Sequence, residues 1–426
     1  LSGPAPLAVR GARLGGEMVG LRCEAGLIAA IGPEVEPLPG EETIEAGGAP
    51  LVAPLLNGHT HAAMTLFRGS GGDLPLMPWL REKIWPVEKR LQPEDVYWGT
   101  RLACAEMIRS GTTRFWDMYW HPEEVARAVA DAGIRATVGA PLFDAGGDPA
   151  ELRETAATSL DRLAGCGPAV RPSLTPHSIY TVSEGSLLWV AELAAEREVA
   201  VHIHLSETEA EAEECLREHG VRPALYLDRL GLLGERTVLA HGVWLDRAEL
   251  ELIAARGCTV VANPAANMKL AVGGVFPLPA ARAAGVATGL GTDGAGSNDS
   301  LDLLADLKLF ALSQKHAAAD AAAIGVGEAW EIATGQRSPL LSGQAVAADV
   351  APAPLTAGAA ADFLLLDPVA PELAIGELDS NLVYAATGAT VDTTVVAGRV
   401  LMHGGELPGL GEIVARAAER AARLGL

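Results

Sequence analysis

The stretch LLNGHTHAAMTLFRG sets His59 and His61 two residues apart, directly after an apolar run. On an extended segment side chains alternate with a period of two, so both imidazoles face the same way and can grip one object together. A bare H-x-H also occurs on surface loops. The rest of the chain decides, because other groups of metal-ligand or proton-transfer type end further short apolar runs. These are Asp117 in TTRFWDM, His177 in AVRPSLTPH, His202 and His204 in VAVHIHLSE, His241 in TVLAHG, Asn263 in CTVVANP and Asp293 in GVATGLGTD. Three or more His or Asp donors with a position left open for water are the donor set of a catalytic zinc site. His204 lies nearer the C-terminal end of its run and is the expected ligand, with His202 a deeper packing or supporting residue. Glu207 follows at the exit, where a carboxylate can act as general acid and base. Taken alone, it would read as an ordinary acid at the helix start in SETEAEAEE.

Counting LVAPLLNGHTH and IRATVGAPLFD, eight such runs alternate with stretches rich in Ala, Leu, Glu and Arg. That is the pattern of an α/β fold, a (β/α)8 TIM barrel, whose active sites lie at the C-terminal ends of the strands. The barrel is expected over residues 54–340. Residues 1–53 and 341–426 carry short strand-like runs broken by glycines, without helices between them. They are expected to pair into one small β-sandwich module, closed by an amphipathic helix near GEIVARAAERAARLGL. The Ala-rich stretch 345–361 reads as a loop.

A chain of 426 residues has room for such a barrel and a smaller module, and 49% hydrophobic residues mark it as folded. A net charge of −22 without any basic block speaks against a nucleic-acid partner and for a neutral or cationic small molecule. The cysteines Cys23, Cys104, Cys166, Cys215 and Cys258 are odd in number and form no C-x-x-C pair, which reads as reduced thiols in a cytoplasmic protein. No apolar run reaches the roughly 18 residues of a membrane span. The N-terminus lacks the core of a secretion signal, and the missing initiator Met reads as a trimmed start. Partners are thus a small-molecule substrate and further copies of the chain in a homo-oligomer. The lysines Lys83, Lys89, Lys269, Lys308 and Lys315 avoid every strand end, so no lysine-derived bridge for a second metal is expected.

The strings NGHTHAAMTLFRG, DLPLMPWL, GTTRFWDMY, HIHLSETEAE, AHGVWL, NPAANMKLA and GTDGAGSNDSLD, in this order over most of the chain, resemble the amidohydrolase superfamily. Within it they are similar to the methylthioadenosine/S-adenosylhomocysteine deaminase branch. The resemblance implies one Zn2+, or Fe2+ or Mn2+ in its place, held by His59, His61, His204 and Asp293. It implies Glu207, His241 and Asp293 as the acid-base set, and hydrolytic deamination of an adenine nucleoside to an inosine-type product and ammonia. Trp79 and Glu88 would meet the ribose, His177 the purine, and Ser297 would line the same pocket.

One departure bears on substrate choice. Members that handle the amino-acid tail of S-adenosylhomocysteine carry an arginine after strand three, where this chain has Gly139 and Ala140, with Arg153 nearby as a substitute. An unpaired buried carboxylate costs several kcal/mol. Methylthioadenosine, 5′-deoxyadenosine or adenosine is therefore expected to be preferred. The alternatives are a related deaminase or dechlorinase acting on aminodeoxyfutalosine, guanine, a pterin or an s-triazine, and, more remotely, a non-catalytic scaffold barrel.

Overall fold

The computed structural model describes residues 6–144, 147–343 and 355–426. The strands β1 (Leu7–Leu14), β2 (Glu17–Glu24), β3 (Leu27–Gly32), β4 (Glu42–Glu45) and β5 (Leu51–Val52) come first. Eight more alternate with helices: β6 (Leu55–Thr60), β7 (Thr112–Met118), β8 (Arg135–Leu142), β9 (Val170–Pro176), β10 (Ala200–Leu205), β11 (Thr237–His241), β12 (Thr259–Ala262) and β13 (Ala287–Leu290). The strands β14 (Phe363–Leu366), β15 (Val391–Val396) and β16 (Arg399–Met402) follow, and the helix Leu410–Leu424 ends the chain. Among the described residues, no helix is long and apolar enough to cross a membrane.

β6 to β13 form one sheet in sequence order, each strand parallel to the next. They are the eight runs read from the sequence. Strands covered on both faces read as nearly continuous apolar runs, and every residue of β6, β7, β10 and β11 is buried. The curved sheet brings β13 back to β6, where the segment after β13 is tied to it. Asp293 N donates to His59 O at 3.0 Å, and Thr292 N and Oγ1 bond the side chain of Asn57 at 3.1 and 2.7 Å. A Cβ on Gly291 would lie 2.8 Å from His59 N, so this approach requires glycine.

The floor of the barrel is an apolar plug of Leu56, Trp116, Ala200, Val238 and Val261, with Leu340 and Leu341 beneath. Helices surround the strands across a continuous apolar layer. The helix Arg247–Arg256 shows how their ends are fixed: Asp246 and Glu249 form a reciprocal capping box, and Gly257 ends the helix in the left-handed conformation.

The flanking segments build two four-stranded sheets, ordered β3-β2-β1-β4 and β16-β15-β14-β5. They share a separate core drawn from both chain ends, including Leu7, Leu21, Ile28, Leu51, Phe363 and Val395. Two features differ from the sequence reading. A helix, Leu378–Tyr384, interrupts the C-terminal strands because Leu382 and Val383 bury against the barrel's apolar layer. The final helix lies along the barrel helix Pro93–Arg109, held by Arg423 on Asp95 and Arg420 on Glu94. Most of the Ala-rich stretch 345–361 lies outside the described residues.

Candidate active site

His59, His61, His204 and Asp293 converge at the C-terminal ends of β6 and β10 and just beyond β13. One donor atom from each lies within 4.8 Å of the others. No other such group occurs among the described residues. Asp293 Oδ1 is 3.2 Å from Nε2 of both His59 and His61, and His204 Nε2 is 3.3 Å from His61 Nε2.

Each imidazole is oriented through its other nitrogen. His61 Nδ1 donates to Met118 O at 2.5 Å, His204 Nδ1 donates to His177 O at 2.7 Å, and His59 Nδ1 lies 2.9 Å from His202 Nε2. With Nδ1 carrying the proton, each Nε2 presents a lone pair to the common point. Ser297 Oγ donates to Asp293 Oδ2 at 2.7 Å and leaves Oδ1 to face inward. Asp293 Oδ1 and Nε2 of His59 and His241 are buried without a hydrogen-bond partner. Orphaned donor atoms aimed at one point fit a divalent cation.

Burial drives His59 down to about 4 and His204 well below the usual imidazole range, which keeps them in the neutral form that binds metal. At His61 burial acts the same way, but the Asp293 carboxylate 3.2 Å away outweighs it and raises the group to about 9, so a cation entering the site takes the place of the proton on His61 Nε2. Burial opposes charge on Asp293 as well. The two histidines overcome it and hold this carboxyl well below its usual value.

Glu207 and His241 stand beside this cluster. Glu207 is buried, its Oε1 3.8 Å from His241 Nδ1, and burial pushes its carboxyl up. His241 Nδ1 lies 2.8 Å from Asn267 Oδ1, which leaves Nε2 towards the ligand cluster. Ser206, His241 and Asp293 all have positive φ, at 50°, 74° and 61°. Non-glycine residues rarely adopt this conformation, and where they do it clusters at functional sites.

The remaining residues singled out in the sequence surround this centre. The His177 ring lies 4.7 Å from that of His204, and its Nδ1 bonds Thr181 Oγ1 at 2.9 Å. Glu88 carries a carboxyl raised by burial, with Tyr119, His61 and Trp120 pulling it the other way. Trp79 is buried and its indole N–H already donates to Ser70 O at 3.1 Å, so only its ring remains to offer a ligand. Ser297 is engaged by Asp293 and acts as a brace for that carboxylate. Trp85, Phe143 and Trp120 form an aromatic wall next to His177, with Phe143 ring distances of 5.9, 6.3 and 5.5 Å to Trp85, Trp120 and His177.

The structure corrects the reading of Ala140. Gly139 faces Thr175, whose Cγ2 a Cβ would meet at 1.9 Å, so strand alternation turns Ala140 the opposite way, into the apolar layer. Arg153 is the fifth residue of the helix Pro149–Ala164, its Nε on Pro149 O at 3.0 Å. Sequence reasoning passed over Asn57, Asn267 and Glu211. Asn267 stands in NPAANMKLA four residues after Asn263, and Glu211 is hidden in an acidic run.

An eight-stranded α/β barrel carrying a buried His/Asp cluster at its strand ends defines a metal-binding hydrolase barrel. The chain belongs to the amidohydrolase family, whose model matches residues 51–337. It is 44% identical to a 5′-deoxyadenosine deaminase of Methanoregula boonei over 388 residues, 90% of this chain and 86% of that one. It is 40% identical to 5-methylthioadenosine/S-adenosylhomocysteine deaminase 1 of Archaeoglobus fulgidus, over 90% of this chain and 89% of that one. The crystal structure of an adenosine deaminase from Xanthomonas campestris with bound zinc superposes with a TM-score of 0.91 at 32% identity, covering 99% of both chains.

Proposed function

We propose that the protein is a zinc-dependent deaminase that hydrolyses the 6-amino group of an adenine nucleoside, giving the inosine-type product and ammonia. The observation that carries this reading is the set of four donors, His59, His61, His204 and Asp293, with Glu207 and His241 beside it. The names of the relatives at 40–44% identity point the same way. Residues 54–340 form the catalytic unit in this reading, supported by a module built from both chain ends. Five free cysteines favour a reducing, cytoplasmic setting.

A divalent ion held by the four donors supplies Lewis acidity and brings the pKa of a water from about 15.7 towards about 7. Glu207, whose carboxyl burial pushes up, delivers a proton to N1 of the purine. His241, with Nδ1 on Asn267, offers Nε2 as the acceptor of the attacking water's proton. Asp293 Oδ1 takes up the proton left on the added oxygen and hands it to the amino nitrogen as the C6–N bond breaks, Ser297 steadies Oδ2, and the proton on His241 returns to Glu207. His177 faces the base, and Trp79 and Glu88 approach the ribose, Trp79 through its ring. The wall of Trp85, Phe143 and Trp120 suits an uncharged 5′ group better than a zwitterionic tail.

The test is ammonia release from adenosine, 5′-deoxyadenosine, methylthioadenosine, S-adenosylhomocysteine, aminodeoxyfutalosine, guanine and melamine-type compounds. Turnover of an adenine nucleoside supports the reading. Turnover confined to guanine or a triazine refutes it.

A further inference from the structure

Glu211 is a buried carboxylate that the chemistry above does not use. It stands at the third position of the helix Glu209–His219, where an acid ordinarily reaches back to the N–H of the N-cap residue, as Glu249 does to Asp246. Here the N-cap is Thr208, and its hydroxyl accepts from Glu211 N. The Glu211 carboxylate reaches further upstream. Oε1 accepts from Ser206 N and Oε2 from Glu207 N, each at 2.9 Å.

Those two N–H groups belong to the turn that leaves β10, in which Ser206 has φ of 50°. The other side of the turn is held by the neighbouring strand exit: Gly242 N donates to Leu205 O at 3.0 Å and Trp244 N to Ser206 O at 2.9 Å. The helix start thus has its hydroxyl cap. The carboxylate is committed instead to the backbone from which Glu207 projects.

We propose that Glu211 is a positioning residue: by taking the N–H groups of Ser206 and Glu207 together, it fixes the turn that aims the Glu207 carboxyl at the substrate. This rests on the deaminase reading for its kinetic consequence, though not for the geometry of the clamp. The site asks for two acceptors. Gln at this position keeps the size but offers one oxygen and sets an NH2 against an N–H.

The test compares Glu211→Gln, Glu207→Gln and the double variant in the metal-loaded protein. An ångström-scale misplacement of a reacting group costs about 10²-fold in rate. Glu211→Gln should lower kcat by about 10²-fold, leave KM within about 3-fold and retain the metal. In the Glu207→Gln background the same change should cost less than about 2-fold, because the group that it aims is already gone. Independently of activity, amide exchange at Ser206 and Glu207 should accelerate at least about 10-fold in Glu211→Gln, with the barrel strands unchanged. Unchanged exchange overturns the clamp. Full kcat in the single variant, or losses that multiply in the double variant, overturn its action through Glu207. A wild-type protein that deaminates no adenine nucleoside refutes the functional reading, and exchange still decides the clamp.

Discussion

His202 Nε2 lies 2.9 Å from Nδ1 of His59, and both side chains are fully buried. The bond turns His59 Nε2 towards Asp293, 3.2 Å away, so a residue with no place among the four donors decides how one of them is presented. Loss of such a supporting partner typically costs 10- to 100-fold in metal affinity or activity. His202→Phe, which keeps a ring but no acceptor, should weaken metal retention by about that factor in competition with a chelator. Wild-type retention would show that His59 is held without it.

Glu207→Gln should keep the full complement of metal and lose about 10²-fold or more in kcat, the scale of general acid catalysis. The side chain stands beside His241 and outside the four-donor group. Steady-state kinetics with metal analysis on the same preparation is the check. Near-normal kcat would remove Glu207 from the proton transfer.

Substrate choice should follow the aromatic wall. A charge-assisted hydrogen bond is worth roughly 1.5–3 kcal/mol and each 1.36 kcal/mol is tenfold in rate. The kcat/KM for methylthioadenosine or 5′-deoxyadenosine should therefore exceed that for S-adenosylhomocysteine by about 10- to 150-fold. Arg153→Ala should leave the ratio unchanged, since the Nε bond to Pro149 O holds the side chain along its own helix. Ala140→Arg should destabilise the protein without creating a tail site, because the side chain would enter the apolar layer. A wild-type ratio near one that rises in Arg153→Ala would show that Arg153 supplies the missing cation.

Asp306 gives a pH-dependent term in stability. It accepts from Asn298 Nδ2 at 2.9 Å and Ala265 N at 3.3 Å, and burial pushes its carboxyl from 3.8 up to about 8. Between those values the folded state holds a proton that the unfolded chain releases. Its contribution is present below pH 4 and is lost as pH rises towards 8, by at most about 1.4 kcal/mol per pH unit. Between pH 5 and 8 the urea midpoint of wild type should fall relative to that of Asp306→Asn. Equal slopes would contradict the assignment.

The barrel was legible because its strands are apolar runs that stop at or just before a polar residue, and β11, TVLAH, shows both features in five residues. His59, His61, His204 and Asp293 stood out together with Asp117, His177, His241 and Asn263 as strand-end groups of one cavity, and the family resemblance marked the four as ligands. What escaped depends on reach across the fold. Glu211 looks like any acid in SETEAEAEE until its oxygens are found on Ser206 and Glu207. Asn267 becomes visible only when its helix delivers it to His241. Ala140 was misread because a one-residue change of register reverses the face of a strand residue. Likewise, Leu382 and Val383 gain their partners only once the barrel exists, so their helix is faint in the local sequence.

The central claim is one divalent ion, held by His59, His61, His204 and Asp293, that serves deamination of an adenine nucleoside. Its most direct measurement is a titration of the metal-free protein with Zn2+, following ammonia release from 5′-deoxyadenosine. The account predicts a linear rise that ends at one ion per chain, and no rise in His59→Ala or Asp293→Ala. An end point at two ions per chain, or metal uptake without ammonia, would contradict it.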